Sequence, residues 1–224
     1  YSKYILEELR SRGYLAEAKM LDFSNSKILI VGDVMLDKYY FGKVDRISPE
    51  APVPIVNIQK EESRLGGASN VANNIVSLGG HSLLCGVIGH DLFGKEIERI
   101  SRHKNIDTFL LKTSSPTITK ARIIGGKQQI VRVDYEDKSE LNADNKKLFR
   151  DTISRILPEY DILVISDYGK GLISEDLCRY LIKLAHKYDK KVIIDPKGKN
   201  WEKYSGADIV TPNVKELSDI VGYT

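Results

Sequence analysis

The chain has 224 residues, of which 42% are hydrophobic and 29% are charged, an ordinary balance for a globular protein of one or two domains. Its net charge of +3 is too small to indicate a nucleic-acid or other polyanionic partner. No apolar run approaches the ~20 residues of a membrane helix, and the two cysteines and four histidines lack the spacing of metal ligands. These features predict a cytoplasmic domain with reduced thiols and with neither a nucleic-acid nor a membrane partner.

The N-terminal half of the chain begins with two unlike segments. Residues 2–21 have the period of an amphipathic helix, and acids inside their apolar pattern exclude a secretory signal. We therefore take residues 1–24 as a helical extension and residues 25–224 as the main domain, which opens with a short buried strand at 27–31. Residues 39–60 are rich in β-forming residues but interrupted by prolines, which predicts an edge strand or flap.

From residue 66 onward, predicted strands and helices alternate. The helices are predicted at about 66–78, 93–104, 143–157, 175–188 and 214–221, and the strands at 83–87, 162–166, 191–195 and 208–211. This alternation predicts an α/β fold, a Rossmann-like, mostly parallel sheet with helices on both faces. A hairpin at 117–134 departs from the alternation, as does the segment 39–60. Together they predict a small β-lid.

Two stretches imitate nucleotide-binding motifs. Gly89 to Glu96 nearly spells a P-loop, but Glu96 stands where that loop needs a Ser or Thr hydroxyl for Mg²⁺. Gly169-Lys-Gly171 follows a strand and opens a helix, as a dinucleotide fingerprint does, but Ser174 replaces the third glycine. A dehydrogenase therefore remains only as an alternative, which tight binding of a nicotinamide nucleotide would favour.

Candidate ligand-binding residues cluster after predicted strands and at helix starts. Gly66-Gly67 would let a ligand approach the backbone, with Asn70 one turn into the helix. Asp37 follows the first buried strand, where open α/β sheets bind ligands, and its carboxylate can accept two sugar hydroxyls. Asn213 and Glu216 are three residues apart and share a helical face. An acid near a triphosphate is favourable only through a metal ion.

These motifs, in this order, resemble the ribokinase (PfkB) family of carbohydrate kinases. The resemblance rests on Gly66-Gly67…Asn70, Gly89-x-Asp91-x-x-Gly94 and Asn213-x-x-Glu216, and it covers roughly residues 27–224. Four longer strings are more specific and resemble the heptose 7-phosphate kinases of that family: Val31–Asp37, Arg46–Pro54, Ser166–Gly171 and Asp195–Gly198.

The resemblance implies a ribokinase-like fold with a β-lid and a defined reaction. The γ-phosphoryl group of ATP, as its Mg²⁺ complex, would pass to the anomeric hydroxyl of D-glycero-D-manno-heptose 7-phosphate. The product would be the 1,7-bisphosphate, on the route to ADP-heptose and the lipopolysaccharide core. Related lids pair two subunits, which implies a homodimer. Two alternatives stay open: a kinase of another sugar, sugar phosphate or nucleoside, and a non-catalytic module that binds a sugar phosphate.

The resemblance also implies roles for individual residues. The sugar-binding positions are Asp37, Gly66, Gly67 and Asn70; the candidates for the sugar's own phosphate are Lys120, Arg122 and Arg132 on the hairpin, and Lys170; and the nucleotide and Mg²⁺ positions are Asn213, Glu216, Asp195 and Lys197. Glu216 would reach the metal through water. Lys120 and Arg122 alternate onto one strand face, which is equally typical of an exposed basic surface, and Asp195-Pro-Lys197 is equally typical of a strand-end turn.

One family element has no counterpart in the chain. Such kinases take the hydroxyl proton with the aspartate of a Gly-x-Gly-Asp turn, whose helix N-terminus binds the transferred phosphoryl group. The 224 residues contain no such string, and the nearest, Ile30-Val-Gly32-Asp33, lies in a different element. We therefore assign no catalytic base within this chain, expect it beyond Thr224, and expect the chain to be inactive alone.

Overall fold

A computed structural model describes residues 8, 11–12 and 22–222. The helix expected over residues 2–21 therefore lies outside the described residues, apart from Glu8, Ser11 and Arg12. The division at residue 24 remains a prediction. No helix within the described ranges is both long enough and apolar enough to cross a membrane.

The described elements follow the predicted alternation. The strands are β1 (Lys27–Gly32), β2 (Val34–Ile47), β3 (Pro54–Gly67), β4 (His81–Gly89), β5 (Asp107–Thr113), β6 (Thr119–Gly125), β7 (Gln128–Tyr135), β8 (Ile162–Ser166), β9 (Lys191–Asp195) and β10 (Ile209–Val210). The helices are α1 (Ala68–Ser77), α2 (Leu92–His103), α3 (Ala143–Ile156), α4 (Glu175–Lys187) and α5 (Val214–Val221).

The main sheet is parallel throughout, in the order β10-β9-β8-β1-β4-β5. The chain leaves the central strand β1 towards β4 and β5 on one side, and returns to β8, β9 and β10 on the other. This reversal creates a switch point at the carboxyl end of β1, which is where open α/β sheets bind their ligands.

Helices cover both faces of the main sheet, as predicted. On β1, Leu29 and Val31 are fully buried in a core shared with α3 and α4. Ile30 points the other way, into a second core built with α1 and α2. Because successive strand residues face opposite sides, a central strand buried on both faces is a continuous apolar run. The fold class is confirmed: α/β, with a parallel sheet between two helical layers.

The lid is a separate four-stranded sheet of β2, β3, β6 and β7, in the order β3-β2-β6-β7. β2 pairs antiparallel with β3 and parallel with β6, and β6 and β7 form the predicted hairpin.

The predicted lid bounds of 39–60 and 117–134 need correction. The first segment is two 14-residue strands that run from Val34 to Gly67. The prolines do not interrupt a strand, because Pro49 and Pro52 lie in the turn between the two strands and Pro54 begins the second. Strand β5 was not predicted. It is a half-exposed edge strand with only three consecutive apolar residues, Phe109–Leu111, which is too weak a pattern to identify a strand.

Candidate active site

A cavity of about 600 Å³ lies between the lid and the carboxyl end of the main sheet, and we call it the lid cavity. The sequence-predicted residues that line it are Asp37, Gly66, Gly67, Asn70, Lys120 and Arg122. Tyr168, from the turn after β8, lines it as well and was not predicted individually. The structure thus brings into contact residues that are far apart in the chain, such as Asp37 and Arg122, which are 85 positions apart.

Strand register explains why the charged lid residues meet. Asp37 on β2 stands opposite Lys120 on β6, and Arg122 lies two residues further on the same face. The Arg122 guanidinium donates a hydrogen bond of 2.6 Å from Nη1 to Asp37 Oδ1, and both side chains are 22% exposed. The cavity wall therefore carries a carboxylate and two bases that solvent still reaches.

The two glycines are required by this geometry. A Cβ on Gly66 would lie 2.5 Å from Asp37 Oδ2, so a larger residue would displace the carboxylate. Gly67 has φ +54°, and its Cβ would lie 2.4 Å from the carbonyl oxygen of Asp33. Gly67 also begins α1 without any side-chain cap, and the exposed Asn70 lies in the first turn of that helix.

Tyr168 lines the lid cavity opposite Lys120. The Lys120 ammonium lies 5.8 Å from the ring centroid, within the range of a cation–π interaction. Burial lowers the pKa of Lys120, while the nearby Asp37 carboxylate opposes that shift. Burial likewise raises the pKa of Tyr168, and Asp195 and Asp37 add to the effect. The tyrosine thus lies between the lid and the carboxyl end of β9.

Two predicted phosphate-binding bases lie outside the lid cavity. Lys170 forms an ion pair with Glu136 and lines a different cavity of about 230 Å³ beside Asp33. Arg132 stands opposite Arg122 in the lid, but its Nε and Nη2 bind the two oxygens of Asp134 at 2.8 and 2.9 Å.

The turn after β8 binds the protein's own carboxylates. Asp33 Oδ2 accepts the backbone N–H groups of Tyr168 and Lys170 at 2.8 and 3.1 Å, and Asp167 Oδ1 accepts that of Gly169 at 2.7 Å. Successive backbone N–H groups form the kind of nest that binds anions. Here the two carboxylates fill it, so this turn cannot hold a pyrophosphate in the manner of a dinucleotide fingerprint.

Burial shifts the pKa of the Asp33 carboxyl. It is 2% exposed, and none of the residues that the structure describes donates a hydrogen bond to its buried Oδ1. Burial raises the pKa of Asp33 to about 6; the backbone donors act against that shift, and the nearby Asp167 carboxylate adds to it.

The other nucleotide-like motif, Gly89 to Glu96, is also filled by an acidic side chain. Asp91 caps α2 by accepting the Gly94 N–H at 2.8 Å. It also accepts the backbone N–H and the hydroxyl of Thr117, at 2.8 and 2.7 Å, while Glu96 pairs with Arg99. The Gly89-x-Asp91-x-x-Gly94 motif therefore fixes the start of the lid hairpin to α2 and is not a P-loop.

The four residues predicted for nucleotide and metal lie together at the ends of β9 and β10; we call Asp195, Lys197, Asn213 and Glu216 the α5 cluster. Asn213 and Glu216 form a reciprocal capping box at the start of α5. Glu216 Oε1 accepts from Lys197 Nζ at 2.8 Å, and Oε2 accepts the Asn213 N–H at 3.0 Å.

The α5 cluster fits a divalent cation only through water. Burial raises the pKa of Asp195, and repulsion from Glu216 adds to the shift, which a cation between them would relieve. Both Glu216 oxygens already accept hydrogen bonds, however, and no group of three or more potential ligands from His, Cys, Asp or Glu occurs among the described residues. The described residues alone therefore do not supply a direct coordination sphere.

The switch point of a parallel α/β sheet opens under a β-lid here, and a base-lined cavity lies apart from a cluster of acids, an amide and a lysine. This arrangement is the one expected of lid-bearing kinases that act on small molecules. Residues 25–224 match the model of the pfkB family of carbohydrate kinases, and the chain belongs to that family. This confirms the resemblance seen in the sequence.

Relatives of this chain carry more specific names. The bifunctional protein HldE of Helicobacter pylori (strain P12) is 48% identical over 193 residues, which are 85% of this chain and 42% of the relative. The D-beta-D-heptose 7-phosphate kinase of Bordetella bronchiseptica is 44% identical over 200 residues, which are 89% of this chain and 63% of the relative. The chain thus spans less than two thirds of either protein.

Solved structures share the fold at lower identity. Phosphofructokinase-2 from Escherichia coli, in its tetrameric inhibited form, superposes with a TM-score of 0.69 at 21% identity, covering 88% of this chain and 64% of that one. A carbohydrate kinase from Agrobacterium tumefaciens gives a TM-score of 0.67 at 18% identity, covering 88% and 64%.

Proposed function

We propose that the protein carrying this chain phosphorylates the anomeric hydroxyl of D-glycero-D-manno-heptose 7-phosphate with ATP. The product is the 1,7-bisphosphate, used for ADP-heptose and the lipopolysaccharide core. The observation that carries the proposal is the lid cavity, whose wall brings together the Asp37 carboxylate and the bases Lys120 and Arg122, with Arg64 and Lys104 also in the lining. The relatives named for HldE and heptose 7-phosphate kinase support the choice of sugar.

Asp37 is the proposed hydroxyl acceptor. Its Oδ2 lies over Gly66, so that a sugar bound against the Gly66-Gly67 backbone meets the carboxylate edge. Asn70, in the first turn of α1, supplies an amide that can both donate and accept. Carboxylate and amide together suit a polyhydroxylated ligand.

Lys120 and Arg122 are the proposed contacts for the phosphate that the sugar already carries. Arginine has five N–H donors in a planar fork. Arg122 uses Nη1 for Asp37, which leaves the Nε and Nη2 donors for two phosphate oxygens. Lys170 and Arg132, bound to Glu136 and Asp134, would have to exchange partners before they could contribute.

The α5 cluster is the proposed nucleotide end of the site. Carbohydrate kinases of this family use ATP and a divalent metal. Glu216 and Asp195 would hold Mg²⁺ through water, because Lys197 and Asn213 occupy the Glu216 oxygens. When bound, the ion would neutralise charge on the nucleotide phosphates. No residue of this chain is assigned the role of proton acceptor.

An acceptor panel tests the proposal in the full-length protein. ATP consumption is measured with heptose 7-phosphate, with the same heptose lacking its phosphate, and with fructose 6-phosphate. We expect the highest kcat/KM for heptose 7-phosphate. A higher value for fructose 6-phosphate would transfer the proposal to another sugar phosphate. Tight binding of heptose 7-phosphate without turnover would indicate a binding module.

Two further features belong to this proposal. The protein would act in the cytoplasm, since its phosphoryl donor is cytoplasmic ATP. It would form a homodimer through the lid, whose β7 is an edge strand with exposed apolar side chains that include Val131 and Val133.

A further inference from the structure

A buried network lies beneath the lid cavity and joins it to the α5 cluster. At its centre is Asp167, which is 2% exposed and follows β8. The Asp167 backbone N–H donates to the Asp195 carbonyl at 3.0 Å, and its side chain holds the Gly169 N–H. Asp167 therefore contacts both the turn that carries Tyr168 and the end of the strand that carries Asp195.

Tyr204 connects the two turns through its hydroxyl. It lies in a short 3-10 turn, Glu202–Tyr204, and is 3% exposed. The hydroxyl donates to Asp167 Oδ2 at 2.7 Å and accepts the Lys197 N–H at 2.9 Å. One hydroxyl group thus fixes the backbone of a residue in the α5 cluster against the carboxylate beneath the lid cavity.

Lys203 supplies the counter-charge. Its Nζ lies 2.5 Å from Asp167 Oδ2 and also reaches the Ile173 carbonyl at 3.4 Å, and its side chain is only 14% exposed. A buried carboxylate without such a partner is strongly unfavourable. Within the described part of the chain, Asp33, which binds the same turn, has only backbone donors, and its buried Oδ1 has no partner there. Lys203 therefore pairs with the Asp167 carboxylate and ties it to the far end of the same turn at Ile173.

We propose that Lys203 and Tyr204 are positioning residues, which set the relative placement of Tyr168 in the lid cavity and Lys197 in the α5 cluster. The inference rests on the proposed kinase function. Neither residue lines the lid cavity or belongs to the α5 cluster. The two residues have different hydrogen-bond partners: Lys203 Nζ binds the turn that carries Tyr168 and lies over the Tyr204 ring, whereas the Tyr204 hydroxyl also holds the Lys197 N–H.

Tyr204→Phe keeps the ring and removes the hydroxyl. In the full-length protein we expect the KM for ATP to rise about fivefold and kcat to fall about tenfold, with the sugar KM changed less than about twofold. Tyr160→Phe is the matched control, because Tyr160 packs against the same core at the opposite end of β8. A Tyr204→Phe enzyme with both KM values unchanged overturns the assignment, since a purely structural tyrosine would lower only stability and the active fraction.

Lys203→Met is expected to raise the sugar KM about tenfold, and Lys203→Arg to stay within about threefold of the unmodified protein because it retains the charge. Lys183→Met, an exposed lysine on α4, is the control. If Lys203→Met does not fold, the double variant Asp167→Asn/Lys203→Met removes both charges and carries the same expectation. Equal sugar KM values in the Met and Arg variants count against the proposal.

Amide hydrogen exchange separates this inference from the kinase assignment. In Tyr204→Phe the Lys197 amide loses its acceptor, so its exchange should accelerate about tenfold or more. If the unmodified protein phosphorylates no acceptor, the proposed function fails while this measurement still reports on the network. Normal kinase activity with unchanged Lys197 exchange and unchanged KM values overturns the network alone.

Discussion

At the scale of single residues, the Asp37–Arg122 contact is the most informative feature of the lid cavity. In Asp37→Asn the carboxylate that we propose accepts the sugar hydroxyls becomes an amide, and charge-assisted hydrogen bonds worth about 1.5–3 kcal/mol each would be lost. We expect the sugar KM of the full-length protein to rise at least about tenfold. Asp45→Asn, an exposed aspartate further along β2, should leave the KM unchanged. Unaltered kinetics in Asp37→Asn would contradict its role in binding the sugar.

Arg122 is expected to discriminate between phosphorylated and unphosphorylated sugars. Arg122→Ala should reduce kcat/KM for heptose 7-phosphate about tenfold or more relative to its effect on the unphosphorylated heptose. Arg132→Ala is the internal comparison, because Arg132 stands opposite Arg122 but is bound to Asp134, and its effect should be smaller. Equal losses for both sugars in Arg122→Ala would assign that residue to the fold.

Asp33 should make stability depend on pH. Because burial raises its pKa from 3.8 to about 6, the folded state holds this proton more tightly than the unfolded state. The resulting stabilisation is complete below pH 3.8 and is lost as the pH rises through about 6, a change on the order of 3 kcal/mol. Asp33→Asn, which cannot ionise, should therefore gain stability relative to the unmodified protein between pH 4 and pH 7. Urea unfolding at both pH values tests this, and parallel curves would contradict it.

The sequence predicted which residues line the lid cavity better than it predicted the contacts that hold them in place. Asp37, Gly66, Gly67 and Asn70 follow strands or open a helix, so local pattern and the family resemblance were enough to place them. Lys170 resembled a phosphate ligand because glycines flank it. Its actual partner, Glu136, is 34 residues away, and pattern alone cannot reveal such a contact.

At the scale of elements, Thr117 ties the lid hairpin to α2. It is 1% exposed, donates to Asp91, and accepts the Gly89 N–H at 2.9 Å. Thr117→Val leaves the Gly89 N–H without its acceptor and removes one of the donors to Asp91, and we expect a loss of about 1–3 kcal/mol in the free energy of unfolding. Thr108→Val, on the exposed side of β5, should change it by less than about 0.5 kcal/mol. Equal stability of the two variants would mean that water replaces the threonine.

Helices and buried strands were predictable because their signals are local. The observed bounds of α3, α4 and β8 agree with the predicted ones to within a residue. The lid was harder to predict, since β2 and β3 lack a regular alternation of apolar and polar residues; they are stabilised by pairing with each other, and β2 also pairs with β6. Pairing partners far apart in sequence decide where such strands begin, which is why the lid was predicted too short.

At the scale of the whole molecule, the exposed edge of the lid is the surface through which we propose that two copies of the protein associate. Val131 is 44% exposed on the edge strand β7. If two lids pair, Val131→Lys places a charge in the contact, and sedimentation velocity should show a shift from dimer to monomer. Gln129→Lys adds the same charge on the same strand and serves as the control. An unmodified protein that is monomeric at assay concentrations would remove the dimer proposal.

The lid also has a consequence for engineering. It is built from two unbroken stretches, 34–67 and 119–135, and the first joins the main sheet through a single residue, Asp33. Hydrogen bonds hold both lid segments where they join the rest of the domain, because the Ala68 N–H donates to the Asp33 carbonyl at 3.0 Å and Thr117 binds Asp91. We therefore expect that these two segments can be exchanged between members of the family. Such a chimera should take its acceptor preference from the donor while its nucleotide end stays that of the recipient.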